Sequence, residues 1–280
     1  MRYSVTDSPS KTRIHKAGNA FSSFVATVNR LVTDEAALPN RIAVFKEGHN
    51  LTGGLSLGKA KGWFEPLLAD IMAQGVSVVV NDIPLTQAAC DSVEQITDVP
   101  SDWVFQQNLY ITPREVQGFV PHCDAHIVVV AQLYGSKEWL LYRRKMDNPL
   151  ILDDGKEGLV ADPNEKLAIA ERFTVGPGDI FVIPRGRYHA ACAQDGASVH
   201  IAIGCAGIRP VDVLWALAGS AMERSDLRAD MASTEATAAA QKYLRAGGQA
   251  TFDLPRYPRL AMAIPKDPQS LSFQAVLDAL

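Results

Sequence analysis

Residues 121–142 read PHCDAHIVVVAQLYGSKEWLLY and set charged and polar groups inside an apolar run. His122, Asp124 and His126 open the stretch, and Lys137 follows a Tyr134-Gly135-Ser136 break. A buried charge is costly unless it is paired or bound to a metal. In a strand, side chains at i and i+2 share a face about 7 Å apart. An imidazole and a carboxylate at that spacing can converge on one ion, so His122 and Asp124 are candidate metal ligands. His126 shares the face but lies about 13 Å from His122 by the same rise. It is expected beside the site, or as a polar residue at the pocket rim.

A third ligand must come from elsewhere. Residues 178–204, GDIFVIPRGRYHAACAQDGASVHIAIG, offer His189 and His200. Asp195-Gly196 carries the signal of a two-residue hairpin loop. That hairpin would set Ala191 opposite His200 and His189 opposite Ala202. The two histidines would then share a face, and either could turn toward the ion. Two histidines and one carboxylate with open positions form the facial triad typical of non-haem Fe(II) oxygenases. A hairpin at Tyr134-Gly135-Ser136 would return Lys137 beside the metal strand. Lys137 then either faces solvent or points inward and needs an anion. Beside an open-sided Fe(II), an inward lysine suits a dicarboxylate such as 2-oxoglutarate, chelated at one end and paired at the other.

The surrounding pattern is one of short strands. Val104–Ile111, His126–Leu133, Lys137–Tyr142, Arg172–Val175, Ile180–Ile183, Tyr188–Ala193 and Ser198–Gly204 are strand candidates divided by Gly, Pro, Asp and Asn. Many short strands with such turns predict a sandwich or barrel. Ahead of them, Ala20–Val32, Trp63–Gln74 and Thr86–Ile96 have helical spacing. Arg41–Phe45 and the Val-rich Val76–Val80 read as strands. After Arg209-Pro210 the chain turns helical, over Val211–Met222, Thr234–Ala246 and Ser270–Leu280. The expected fold is mainly β with flanking α. Residues 1–208 would form the catalytic barrel with its leading helices, and residues 209–280 a helical segment able to pair two chains as a homodimer.

The 280 residues are 47% hydrophobic, enough for one sizeable core and a smaller second unit. A net charge of −4 gives no case for direct nucleic-acid binding. Cys90, Cys123, Cys192 and Cys205 form no CxxC pair, which argues against a zinc site and a disulfide framework. The opening MRYSVTDSPSKTRIHK lacks an apolar signal-peptide core. No apolar run approaches a membrane span. These features together predict a soluble, cytoplasmic protein.

NLYITPREVQGFVPHCDAHIVVVAQLYGSKEWLLYRR resembles the JmjC-type 2-oxoglutarate oxygenases, in the cupin-like branch that contains the ribosomal oxygenases. Their pattern falls on Asn108, Tyr110, Thr112, Pro113, Gly118, His122, Asp124, Gln132, Gly135, Lys137 and Trp139. A second block, PGDIFVIPRGRYHAA, is similar to their Gly-Asp-x-x-x-x-Pro-x-Gly-x-x-His segment. The resemblance implies Fe(II) held by His122, Asp124 and His189, rather than His200. It implies the distal carboxylate of 2-oxoglutarate on Lys137, helped by Tyr110, with Asn108 close to the cosubstrate. It implies a double-stranded β-helix, with O2 consumed, 2-oxoglutarate converted to succinate and CO2, and a C–H bond hydroxylated. Ala202 and Gly204 stand where that branch usually carries hydroxyl residues.

A peptide or protein side chain is the expected substrate, with a small molecule such as a free amino acid as the alternative. A non-oxygenase metal cupin, an isomerase or binding module, is the other class considered. GGLSLGKA, Gly53–Ala60, nearly fits a phosphate-binding loop, but Ala60 replaces the hydroxyl that would hold Mg²⁺. A loop at the barrel mouth is the expected role.

Overall fold

The computed structural model describes residues 21–25, 41–46, 48–54, 64–100, 103–150, 159–162, 165–207, 209, 211–212, 218 and 221–245. The polar start, most of the helix expected over Ala20–Val32, residues 55–60 of the glycine-rich loop and the helix expected over Ser270–Leu280 lie outside them. The described residues form two compact units, one ending at Ala206 and the other beginning at Gly207.

Among the described residues, the first unit holds ten strands: β1 (Ile42–Lys46), β2 (His49–Asn50), β3 (Ser77–Ile83), β4 (Val104–Thr112), β5 (Ile127–Tyr134), β6 (Lys137–Lys145), β7 (Ile169–Val175), β8 (Ile180–Ile183), β9 (Arg187–Ala193) and β10 (Ser198–Ala206). Seven build one antiparallel sheet in the order β2-β1-β3-β4-β10-β5-β8, and three build a second in the order β7-β6-β9. These two sheets are those of a double-stranded β-helix. Helices α1 (Phe64–Ala73) and α2 (Gln87–Thr97) accompany them, and residues 21–25 are also helical. The Thr86 hydroxyl caps α2 by accepting from the Ala89 N–H at 3.1 Å, and left-handed Asp98 closes its other end.

The strand pattern follows from what covers each face. On β4 and β10, Leu109, Ile111, Val199, Ile201, Ile203 and Cys205 join a large core that includes Leu68 and Ile71 of α1 and Val93 of α2. The alternate residues, Asn108, Tyr110, His200, Ala202 and Gly204, line a cavity. β5 is apolar from Ile127 to Ala131 because both of its faces are covered there: Val129 and Ala131 join the large core, and Val128 and Val130 pack with Trp139, Leu141, Val175 and Phe181.

Neither expected hairpin forms. β9 pairs with β6, while β10 pairs with β4 and β5, so His189 and His200 sit in different sheets. Likewise β5 and β6 are consecutive yet belong to opposite sheets. An Asp-Gly pair signals a tight turn, but whether its flanks pair depends on the sheet each flank finds. Both turns are corners that carry the chain from one sheet to the other. They pack together: a Cβ on Gly135, whose φ is 63°, would collide with the Ala197 carbonyl oxygen. The Gln132 amide joins the corners, donating to the Tyr134 carbonyl at 2.7 Å and to Ser198 Oγ at 2.8 Å.

The second unit contains a 3-10 turn at Ser225–Leu227 and α3 (Ser233–Arg245). Residues 211–212 and 221–222 are also helical. Among the described residues, no helix is long and apolar enough to cross a membrane.

Candidate functional site

His122, Asp124 and His189 come together at one end of the cavity between the sheets. Their candidate ligand atoms all lie within 4.8 Å of one another. The stretch 121–126 is not the regular strand its spacing suggested; β5 begins only at Ile127. Instead His122 bridges to His189 by two backbone hydrogen bonds, of 3.1 and 2.8 Å, and to Val160 on its other side. That direct pairing brings the two imidazoles to 4.4 Å between ring centres. Each is oriented from behind. His122 Nδ1 lies 2.8 Å from the Val120 carbonyl and His189 Nδ1 lies 3.0 Å from the Arg187 carbonyl. With Nδ1 as the donor to a carbonyl, Nε2 is left as a lone-pair donor, the arrangement metal-binding histidines need.

The electrostatics agree. Burial is the main cause that takes His189 down to about 4, so it is neutral near pH 7. Burial pushes the Asp124 carboxyl up, but the fields of His189, His126 and His122 outweigh it and hold the group below its usual value. His189 Nε2 and Asp124 Oδ2 are 3.5 Å apart, within ion-pair distance. A neutral imidazole makes no ion pair, however. The set is a carboxylate beside a neutral imidazole, the form in which these groups bind a divalent cation. The donor set therefore fits Fe(II).

Also lining the cavity, Lys137 is only 3% exposed. It starts β6 in the three-stranded sheet and reaches the opposite sheet. Its Nζ donates to Thr112 Oγ1 at 2.9 Å and lies 3.5 Å from His200 Nδ1. The inward orientation is the one realised. Burial lowers the ammonium from 10.5 to about 7, with Cys192 pulling the other way. Tyr110 stacks on His200, ring centres 4.8 Å apart and planes within 8°. Burial, with Asp124 adding to it, raises the Tyr110 phenol to about 12, while its hydrogen bond with Asn108 opposes. Asn108 Oδ1 in turn accepts from the Asp82 N–H at 3.0 Å. Trp139 lies 6.0 Å from the His189 ring and 5.5 Å from the His200 ring. Its buried Nε1 has no hydrogen-bond partner. An orphaned donor and a buried lysine with uncharged partners are what a cavity shaped for an anionic ligand leaves when considered alone.

His126 lines the same cavity as Gln106, Asn108, Phe119 and Gly204. A Cβ on Gly204 would sit 2.8 Å from His126 Cε1, so the glycine makes room for that ring. His200 lines the cavity but is absent from the His122/Asp124/His189 group. Sequence reading did not assign a role to Thr112, although it stands in the quoted pattern. Its contact with Lys137 crosses from one sheet to the other and leaves no local signal.

Residues 85–211 match the JmjC domain family. A bifunctional lysine-specific demethylase and histidyl-hydroxylase NO66 of Dictyostelium discoideum is 35% identical over 100 residues, 34% of this chain and 18% of that protein. Ribosomal oxygenase 1 of Rattus norvegicus is 39% identical over 102 residues, 34% of this chain and 16% of that protein. This chain thus spans under a fifth of the length of either relative. The structure of YcfD, a ribosomal oxygenase from Escherichia coli in complex with cobalt and 2-oxoglutarate, superposes with a TM-score of 0.53 at 16% identity, covering 85% of this chain and 64% of that one. At that identity the likeness concerns the fold. The JmjC-domain match covers strands β4 to β10 of these two sheets.

Proposed function

We propose that this protein is an Fe(II)- and 2-oxoglutarate-dependent dioxygenase that hydroxylates an amino-acid side chain in a peptide or protein. One observation carries the reading. A His122/Asp124/His189 cluster in its metal-binding form shares a cavity with a buried Lys137 whose hydrogen-bond partners are uncharged. The relatives named as ribosomal oxygenases and as a histidyl-hydroxylase support it.

Held by His122, Asp124 and His189, Fe(II) supplies chelation of the 2-oxo acid and coupling of its oxidation to O2. Overall, one oxygen atom of O2 enters succinate, CO2 leaves, and the other oxygen enters the substrate C–H bond. The protein's residues bind and orient. The Val120 and Arg187 carbonyls fix the imidazoles. Lys137 receives the remote carboxylate, and the neutral Tyr110 phenol, held by Asn108, can donate to it. Along β6, Lys137 stands two pleat repeats, about 13 Å, from Leu141, the residue paired with His189. Val128, Val130, Trp139 and Ile183 give the cavity an apolar lining. Gln106, His126 and Gly204 remain for the substrate side.

The test is incubation with Fe(II), 2-oxoglutarate and a host lysate, followed by mass analysis of peptides and small molecules. The expected result is 2-oxoglutarate-dependent gain of one oxygen atom on a polypeptide side chain, with matching succinate. Oxygen gain confined to small molecules would move the substrate class. Loss of a methyl group as formaldehyde would make the reaction a demethylation. Absence of succinate under all these conditions would refute the proposal.

A further inference from the structure

His200 is left over from the site so described. It is a polar side chain 4% exposed, and it takes no part in the metal-binding group. Its place is nevertheless closely specified. It projects from β10, opposite Tyr110 of β4 and Gln132 of β5. One face of its ring lies on Tyr110, and Trp139 meets it nearly at right angles, at 84°. Nδ1 stands 3.5 Å from Lys137 Nζ, the long end of hydrogen-bond distance. An alanine or a leucine would fill this position without the cost of burying an imidazole.

We propose that His200 is a positioning residue for the cosubstrate: stacked on Tyr110 and facing Lys137, it holds in place the two polar heads that receive the remote carboxylate. This rests on the 2-oxoglutarate reading above. A neutral imidazole whose Nδ1 accepts from an ammonium suits the task, because it steadies the lysine without competing for the incoming anion. Burial, reinforced by the neighbouring Lys137, keeps the ring neutral. Thr112 accepts a second Lys137 proton, so the third N–H direction of the ammonium is left for the carboxylate. The stack on His200 fixes the Tyr110 ring on the cavity wall.

Two substitutions separate the ring from the acceptor. His200→Phe keeps a stacking ring and removes Nδ1. His200→Asn keeps an acceptor near Nδ1 and removes the stack. Binding of 2-oxoglutarate to the Co(II)-loaded full chain, without O2, is read by calorimetry, alongside Co(II) affinity and thermal midpoint. His200→Phe is expected to weaken 2-oxoglutarate about tenfold, as loss of one hydrogen bond of about 1–2 kcal/mol implies, with Co(II) affinity unchanged. His200→Asn is expected to fall between it and the unsubstituted protein. In a Lys137→Ala background, His200→Phe should add little, since the group it steadies is gone. Unchanged 2-oxoglutarate affinity in His200→Phe, or a full additional loss in the Lys137→Ala background, would overturn the inference while leaving the dioxygenase reading intact. Absence of saturable 2-oxoglutarate binding by the unsubstituted protein would instead remove that reading and the inference with it.

Discussion

Lys137 decides how the cavity is used, because an ammonium this deeply buried is tolerated only for a reason. Lys137→Ala would leave a carboxylate desolvated and unpaired, a loss of about 1–3 kcal/mol. The 2-oxoglutarate KM should therefore rise about tenfold to a hundredfold in a succinate assay; an unchanged KM would mean the anion binds elsewhere. The depressed value, about 7, also gives a pH signature. In the unliganded fold, burial of the charged form is a penalty present below pH 7 that fades as pH rises toward the unfolded value of 10.5. A bound carboxylate favours the charged form again. Between those two values binding should take up a proton, and affinity should fall as pH rises through about 7. Calorimetry in two buffers of different ionisation heat measures that uptake, and none detected would contradict it. The spacing of His122 and Asp124 made a shared ion legible in the sequence. The choice of His189 over His200 did not follow from spacing. Both face the cavity, and what separates them is the sheet each belongs to and the backbone pairing of His122 with His189.

Strand positions were legible because burial imposes alternation on β4 and β10 and an apolar run over Ile127–Ala131 of β5. Strand partners were not. The Asp195-Gly196 turn and the Tyr134-Gly135-Ser136 break look like hairpins locally, and only the curl of two facing sheets makes them corners. Two glycines separate the structural from the functional demand. Gly135→Ala places a Cβ against backbone that cannot move aside, at a positive φ. It should cost about 1–3 kcal/mol or more in urea unfolding. Gly204→Ala meets a side chain, the His126 ring, which can turn away. It should leave the urea midpoint nearly unchanged while displacing His126. Equal effects of the two substitutions would contradict the corner packing.

The site draws on residues from Asn108 to His200, gathered from both sheets, so it exists only in the folded barrel. The boundary at Ala206 and Gly207 separates that barrel from a unit in which the described Met222 is 68% exposed and Met231 38% exposed. Large apolar side chains in water favour association. Pairing of two chains through residues 209–280, as proposed from the sequence, predicts a dimeric mass in solution that falls to a monomer with Met222→Glu. A monomer without the substitution would contradict it. The most direct test of the whole arrangement is anaerobic binding of Fe(II) to the intact protein and to its histidine variants. One Fe(II) per chain should bind, be lost in His189→Ala and be retained in His200→Ala. Loss of iron in His200→Ala with retention in His189→Ala would contradict the site as described.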